Sequence, residues 1–162
     1  MPHFPQNLLT RMLSRFCFAG EMCEHEETVV RDTALFVMDA DTGEVLLEQN
    51  GDARLPMAST TKIMTALVAL GEGNLDREYT VKKEYTRVEG SSMYLQEGEK
   101  LTLRDTLYGL MLESGNDAAV AIAGECGGFD VFIEKMNAKA AELGLTDTHF
   151  DNPNGLSSET HY

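Results

Sequence analysis

Apolar residues recur along this chain with two different periods, and the switch between them marks out the elements. Residues 34–38 (ALFVM) are apolar, as are Val45, Leu46 and Leu47. Between these runs lie Asp39, Ala40, Asp41, Thr42 and Gly43. Short apolar runs joined by an Asp- and Gly-containing turn predict a β-hairpin. Asp39 and Asp41 are read as turn formers rather than as a metal or carboxylate pair, because aspartate side chains bond the nearby backbone. Further on the period lengthens. Ile63, Leu67 and Leu70 recur at helical spacing, with Met64 and Val68 beside them, and predict a buried helical face. Pro56 precedes this run, where a helix can begin but not continue. The helix is expected to fade at Gly71 and Gly73.

Residues 79–85 alternate enough for a short strand. Gly90, Ser91 and Ser92 read as a loop, with Met93, Tyr94 and Leu95 beside it. Thr102 and Asp105 form a capping-box pattern. The helix behind it carries Leu103, Leu107, Leu110 and Met111 on one face and is expected to stop near Glu113. After Ser114, Gly115 and Asn116 comes a helix of small residues, 118–123 (AAVAIA), which allow close approach to a neighbour. Gly127 and Gly128 break the chain. A further helix shows Phe129, Phe132, Ile133, Met136, Ala140 and Leu143 in helical period, with Gly144 just past its end and Leu145 as the apolar contact beyond. Asn152, Pro153, Asn154 and Gly155 read as a turn. Residues 1–30 show no period, and Glu21, Glu24, Glu26 and Glu27 form an acidic patch without an apolar face. This stretch is expected to be a leader or flexible N-terminus, with one domain over 31–162.

Composition narrows the class. A chain of 162 residues suits one domain with a real core, and 43% apolar with 25% charged residues is ordinary for a soluble globular protein. A net charge of -14 argues against nucleic acid or an anionic membrane as a partner of the bulk surface. Cys17, Cys23 and Cys126 form neither a metal pattern nor a disulfide framework, and Cys126 is expected to be a small core residue. Cys17 and Cys23 could pair, but nothing compels it. His3 and His25 have no metal-ligand companion at useful spacing. No apolar stretch is long enough for a transmembrane helix. After Arg11 and Arg15 only Phe16, Cys17, Phe18 and Ala19 are apolar, short of the about 7 to 15 residues of a signal peptide.

The candidate chemistry starts at Ser59. Lys62 follows it by one helical turn, on the same face. A serine hydroxyl needs a neighbouring base to become a nucleophile, and helix N-terminal N–H groups can receive charge that develops on a substrate oxygen. To act as that base Lys62 must be neutral, so its pKa must fall from about 10.4 towards 7, at a cost of about 4 kcal/mol. Of the seven serines only Ser59 has lysine three residues on. Alone, the pair is explained as well by a helix start beside a solvated lysine. Ser114, Gly115 and Asn116 alone are explained by a helix stop followed by an asparagine cap. Together they supply a nucleophile, a base, a second hydroxyl and an amide, and the balance reverses.

Residues 55–67 (LPMASTTKIMTAL), 110–123 (LMLESGNDAAVAIA), 148–156 (THFDNPNGL) and the hairpin turn 39–43 (DADTG) resemble the serine D-alanyl-D-alanine carboxypeptidases, the low-molecular-weight penicillin-binding proteins. The resemblance covers residues 33–162. It implies an α/β fold of the β-lactamase and transpeptidase kind, here an N-terminal hairpin plus a helical subdomain without the later strands of the sheet. By position Ser59 resembles the acylated nucleophile, Lys62 its base, Ser114 a second catalytic hydroxyl and Asn116 a substrate-binding amide. The implied reaction is attack by Ser59 on the carbonyl between two D-alanines of a peptidoglycan stem peptide. It releases the terminal D-alanine, and water then hydrolyses the acyl-enzyme. No metal or organic cofactor is implied, β-lactam antibiotics would acylate the same serine, and the location would be extracytoplasmic. Ser-Gly-Asn stands where class A β-lactamases carry Ser-Asp-Asn, and no glutamate is placed as their deacylating residue. The family's Lys-Thr-Gly motif is missing, since Lys135 and Lys139 are the only lysines after Asn116 and neither precedes Thr-Gly. These residues are therefore expected to be the N-terminal portion of a longer enzyme, inactive and poorly folded alone. A β-lactamase and a non-catalytic β-lactam sensor are the alternative readings.

Overall fold

The computed structural model of the protein describes residues 34–162. The expectations for His3, Cys17, Cys23, His25, the acidic patch and the leader lie outside the described residues.

β1 (Leu35–Met38) pairs antiparallel with β2 (Val45–Gln49), Val37 opposite Leu47, with an irregularity between Val37 and Met38. Asp39 makes the turn. Its Oδ1 accepts from Thr42 N at 2.7 Å, Thr42 Oγ1 at 2.8 Å and Asp41 N at 3.0 Å. These bonds to Thr42 above all hold the Asp39 carboxyl below its ordinary value. The aspartate is thus a turn former, as its spacing predicts.

A short 3₁₀ turn, Ala58–Thr60, leads directly into α1 (Thr61–Gly71). The face that α1 buries is not the one its leucines predict. Ile63, Leu67 and Leu70 are exposed, whereas Thr61, Lys62, Met64, Thr65, Val68 and Ala69 are buried. The physical reason is that two threonines take the inward positions and satisfy their hydroxyls there. Thr65 Oγ1 donates to Pro153 O at 2.6 Å, and Thr61 Oγ1 shares a hydrogen with His161 Nε2 at 2.8 Å. A hydrophobic count treats both positions as polar and so rotates the face.

β3 (Glu78–Thr80) pairs antiparallel with β4 (Lys100–Thr102), Tyr79 opposite Leu101. The strand expected over 79–85 ends early, and Lys83–Tyr85 is a 3₁₀ turn. Val81 and Tyr85 are both buried, so a chain that bends back on itself mimics alternation. β4 itself carries no run long enough to be recognised in the sequence.

α2 (Leu103–Leu112) starts on the expected capping box. Thr102 Oγ1 accepts from Asp105 N at 3.1 Å, and Asp105 Oδ2 accepts from Thr102 N at 3.0 Å. Leu103, Leu107 and Leu110 are buried with Thr106, while Met111 is exposed, one position off the inward stripe. α3 (Asn116–Glu125) is the centre of the packing: Ala118, Ala119, Ala121, Ile122 and Ala123 have no exposed surface. Their small side chains bring α1, α2 and α4 (Phe129–Glu142) against it. α4 buries Phe132, Met136 and Ala140, but the expected Phe129 and Leu143 are exposed at its ends. It closes with a Schellman motif: Leu145 N donates to Ala140 O and Gly144 N to Ala141 O, with Gly144 at φ +75. Cys126 is buried in this core, and burial pushes its thiol up to about 11. A second cluster of Tyr79, Val81, Tyr85, Leu95 and Ala121 lies on the other side of α3. No helix among the described residues is long and apolar enough to cross a membrane.

The rotated face of α1 gives the first prediction. Phe132→Ala should cost about 3 to 5 kcal/mol by emptying the site between the helices. Ile63→Ala should change stability by about 0.5 kcal/mol or less. Urea unfolding followed by circular dichroism checks both, and a large loss for Ile63→Ala would mean that the leucine-rich side is the buried one.

Candidate active site

α1 presents the nucleophile candidate because the chain enters it through a strained turn. Ala58 adopts φ +47, a left-handed conformation unusual for a residue with a Cβ. Ser59 follows it and is exposed, while Lys62 in the first turn of α1 is only 3% exposed. On the facing side the chain between α2 and α3 makes a second such turn, with Ser114 at φ +55. Ser114 is half-buried and stands over the start of α1.

Three of the four candidate residues close into a triangle. Lys62 Nζ donates to Ser59 Oγ at 3.0 Å and to Ser114 Oγ at 3.1 Å, and Ser114 Oγ donates to Ser59 Oγ at 3.1 Å. Burial lowers the Lys62 pKa from its ordinary 10.5. A desolvated amine beside an open hydroxyl can take the hydroxyl's proton once it is neutral. The arrangement therefore has the parts of an acyl-transfer centre, with a second hydroxyl between base and solvent.

Asn116 is not part of the triangle. It is the first residue of α3 rather than its cap, a position that Gly115 takes with an extended backbone. Its side chain is buried, and Nδ2 donates to Glu89 O at 2.6 Å while its own N–H donates to Ser91 O at 2.7 Å. Asn116 thus ties the 89–91 loop to the head of α3, one residue from the Ser114 turn.

Asp117 is a residue that sequence reasoning missed. It is 1% exposed. Its carboxylate accepts from Ser92 Oγ at 2.6 Å, Met93 N at 3.0 Å, Leu95 N at 3.0 Å and Ala118 N at 2.9 Å. Burial raises its pKa, but the bonds from Ser92, Leu95, Met93 and Ala118 outweigh burial and hold it below 3.8. It pins both flanks of Tyr94, an exposed residue at φ +63. An acidic residue in the first turn of a helix was the available signal, because the helix dipole favours negative charge there. Among the described residues no group of three or more His, Cys, Asp or Glu is placed to hold a metal ion.

A hairpin, a helical cluster centred on a small-residue helix, and a serine–lysine pair at a helix start are features of the penicillin-recognising peptidases. The chain belongs to the D-alanyl-D-alanine carboxypeptidase family, peptidase S11, whose model matches residues 21–162. It is 42% identical over 132 residues to the D-alanyl-D-alanine carboxypeptidase DacF of Bacillus subtilis, covering 78% of this chain and 34% of that protein. It is 44% identical over 120 residues to DacB2 of Mycobacterium tuberculosis, covering 74% of this chain and 41% of that one. Among solved structures, the Mycobacterium tuberculosis D-alanyl-D-alanine carboxypeptidase superposes with a TM-score of 0.75 at 41% identity, over 79% of this chain and 48% of that one. The Streptomyces K15 DD-transpeptidase gives 0.74 at 40% identity, over 78% and 53%. The chain thus spans between a third and a half of the length of these two curated relatives.

The Asp117 pocket yields a pH prediction. A carboxylate with a depressed folded-state pKa contributes stability that is present above its unfolded value and lost as pH falls through the folded value. Asp117→Asn should therefore cost about 2 to 4 kcal/mol at neutral pH, having lost charge-assisted bonds, and should flatten the acid side of the stability profile below about pH 4. Thermal unfolding at a series of pH values checks this. An unchanged acid limb would show that Asp117 titrates alike in folded and unfolded chains.

Proposed function

We propose that residues 31–162 form part of the catalytic domain of a serine-type D-alanyl-D-alanine carboxypeptidase that acts outside the cytoplasm. The observation that carries this reading is the closed triangle of Ser59, Lys62 and Ser114 around a buried amine. The family supplies the substrate class, a peptidoglycan stem peptide ending in D-Ala-D-Ala.

In this reading Ser59 Oγ attacks the carbonyl carbon of the D-Ala-D-Ala bond and its proton passes to neutral Lys62 Nζ. Negative charge develops on the carbonyl oxygen near the Ser59 N–H, where the start of α1 favours it. The C–N bond then breaks. Ser114 Oγ, bonded to both Ser59 and Lys62, relays a proton to the leaving D-alanine amine. Water attacks the ester carbonyl, gives up a proton to Lys62, and releases the shortened peptide with Ser59 restored. Asn116 holds one amide hydrogen on Glu89 O and has a second to offer a substrate carbonyl. β-Lactams present an acyl carbonyl to the same serine and would label it covalently.

Penicillin labelling of the chain extended to full length, followed by intact-mass spectrometry, tests this. One penicilloyl group should add to the protein and none to Ser59→Ala; labelling of the alanine variant would refute the assignment. Lys62→Arg should abolish acylation although it keeps the charge, because a guanidinium cannot become neutral at working pH. The acylation rate should rise with pH as Lys62 loses its proton, with a midpoint below 10.5 because burial lowers that pKa. Rates within about tenfold of wild type in Lys62→Arg would remove Lys62 as the base.

A further inference from the structure

The nucleophile turn is braced by a residue far along the chain. Gly155 adopts φ +88, and its Cα lies against the Ala58 carbonyl. A Cβ there would overlap both the carbonyl oxygen and the carbonyl carbon of Ala58, and would stand 3.1 Å from Thr61 Oγ1. Gly155 is therefore required twice, by its own backbone and by the space that Ala58 occupies.

The consequence follows from peptide geometry. The Ala58 carbonyl and the Ser59 N–H belong to one rigid, trans peptide plane, so they point to opposite sides. Fixing the oxygen against Gly155 fixes where the Ser59 N–H points. Ala58 sits at φ +47, a conformation that a residue with a Cβ holds only when its surroundings impose it. Among the described residues, the Ser59 N–H donates to no carbonyl outside its own turn.

The brace is itself tied down. Asn152 Oδ1 accepts from Gly155 N at 2.7 Å, and Asn152 Nδ2 donates to Leu156 O at 2.7 Å. Pro153 O accepts from Thr65 Oγ1, one turn along α1 from Thr61. Thr61 in turn bonds His161, whose Nδ1 accepts from Asp151 N at 3.1 Å. Two hydrogen bonds on α1 and the contact at Ala58 in the turn before it thus hold the 151–161 segment against the start of the helix.

We propose that Gly155 is a positioning residue for acyl transfer, which aims the Ser59 N–H at the substrate oxyanion by holding the Ala58 carbonyl. This rests on the acyl-transfer reading of Ser59. The test compares wild type, Gly155→Ala and Gly144→Ala, each in the chain extended to full length. Gly144 also has positive φ, but a Cβ there meets nothing within 4 Å, so its variant carries backbone strain without overlap.

Two readouts are taken on each protein: the rate of penicillin acylation at Ser59, and the Ser59 amide position in ¹H–¹⁵N spectra. Gly155→Ala should acylate at least about tenfold more slowly and shift the Ser59 amide, whereas Gly144→Ala should stay within about twofold. A cooperatively folded Gly155→Ala that acylates within about twofold of wild type, or leaves the Ser59 amide in place, overturns the proposal. Should Gly155→Ala lack a cooperative transition, Thr65→Val carries the test, because it frees Pro153 O without overlap. A loss of about fivefold with a shifted Ser59 amide supports the brace, and unchanged values overturn it. A full-length wild-type enzyme that is not labelled at Ser59 overturns the acyl-transfer reading itself, and this inference with it.

Discussion

An amine that is to take a proton at neutral pH must be kept from water, while the hydroxyl it serves must stay open to it. In the proposed acyl transfer both demands fall on one helical turn. Lys62 is 3% exposed and Ser59, three residues before it, is exposed. Withdrawing a lysine from water costs several kcal/mol if it is charged, and that cost is what lowers its pKa. The cost has to be met by packing elsewhere. α3 meets it, because five residues without exposed surface let three other helices close around it. The alanines of α3 do no chemistry, yet they let α1, the helix that carries Lys62, pack closely.

Two turns then supply the geometry. Ala58 and Ser114 both hold left-handed backbone conformations, each within one residue of a member of the triangle or at it. Such conformations cost about 1 to 3 kcal/mol each for residues with a Cβ and persist only when neighbours enforce them. The neighbours are different on the two sides. At Ser114 the next residues, Asn116 and Asp117, fasten the 89–95 loop to the head of α3. At Ala58 the support comes from Gly155 and the segment around it. Each hydroxyl is thus placed by a segment that contributes no group to the triangle.

What the sequence makes legible follows from the range of the interactions. The hairpin turn at Asp39, the capping box at Thr102 and Asp105, and the helix end at Gly144 are all local, within a few residues, and each is readable. Ser59 with Lys62 is local too, and only the pairing with Ser114 needed a longer view. The buried side of α1 was not legible, because Thr61 and Thr65 are made welcome inside by His161 and Pro153, far away in the chain. Asp117 and Gly155 escape for the same reason. Asp117 looks like any acidic residue in a first helical turn, and Gly155 like any glycine after asparagine. Only the fold shows that one fills a pocket of donors and the other a gap against Ala58.

The charge balance of the chain bears on the amine in a way that composition conceals. With a net charge of -14, a carboxylate near Lys62 would be no surprise, and it would raise the amine's pKa by favouring the charged form. Burial is instead the cause of its shift, and the direction is downward. The buried acid close by in sequence to Ser114 is Asp117, and its carboxylate is turned into the 92–95 loop, where four donors absorb its charge. The same bonds that fix the loop therefore keep a negative charge occupied at the rim of the site. An acid whose charge is met by the 92–95 loop adds nothing to the Lys62 shift, whereas a carboxylate reaching Lys62 would hold the proposed base in its charged form.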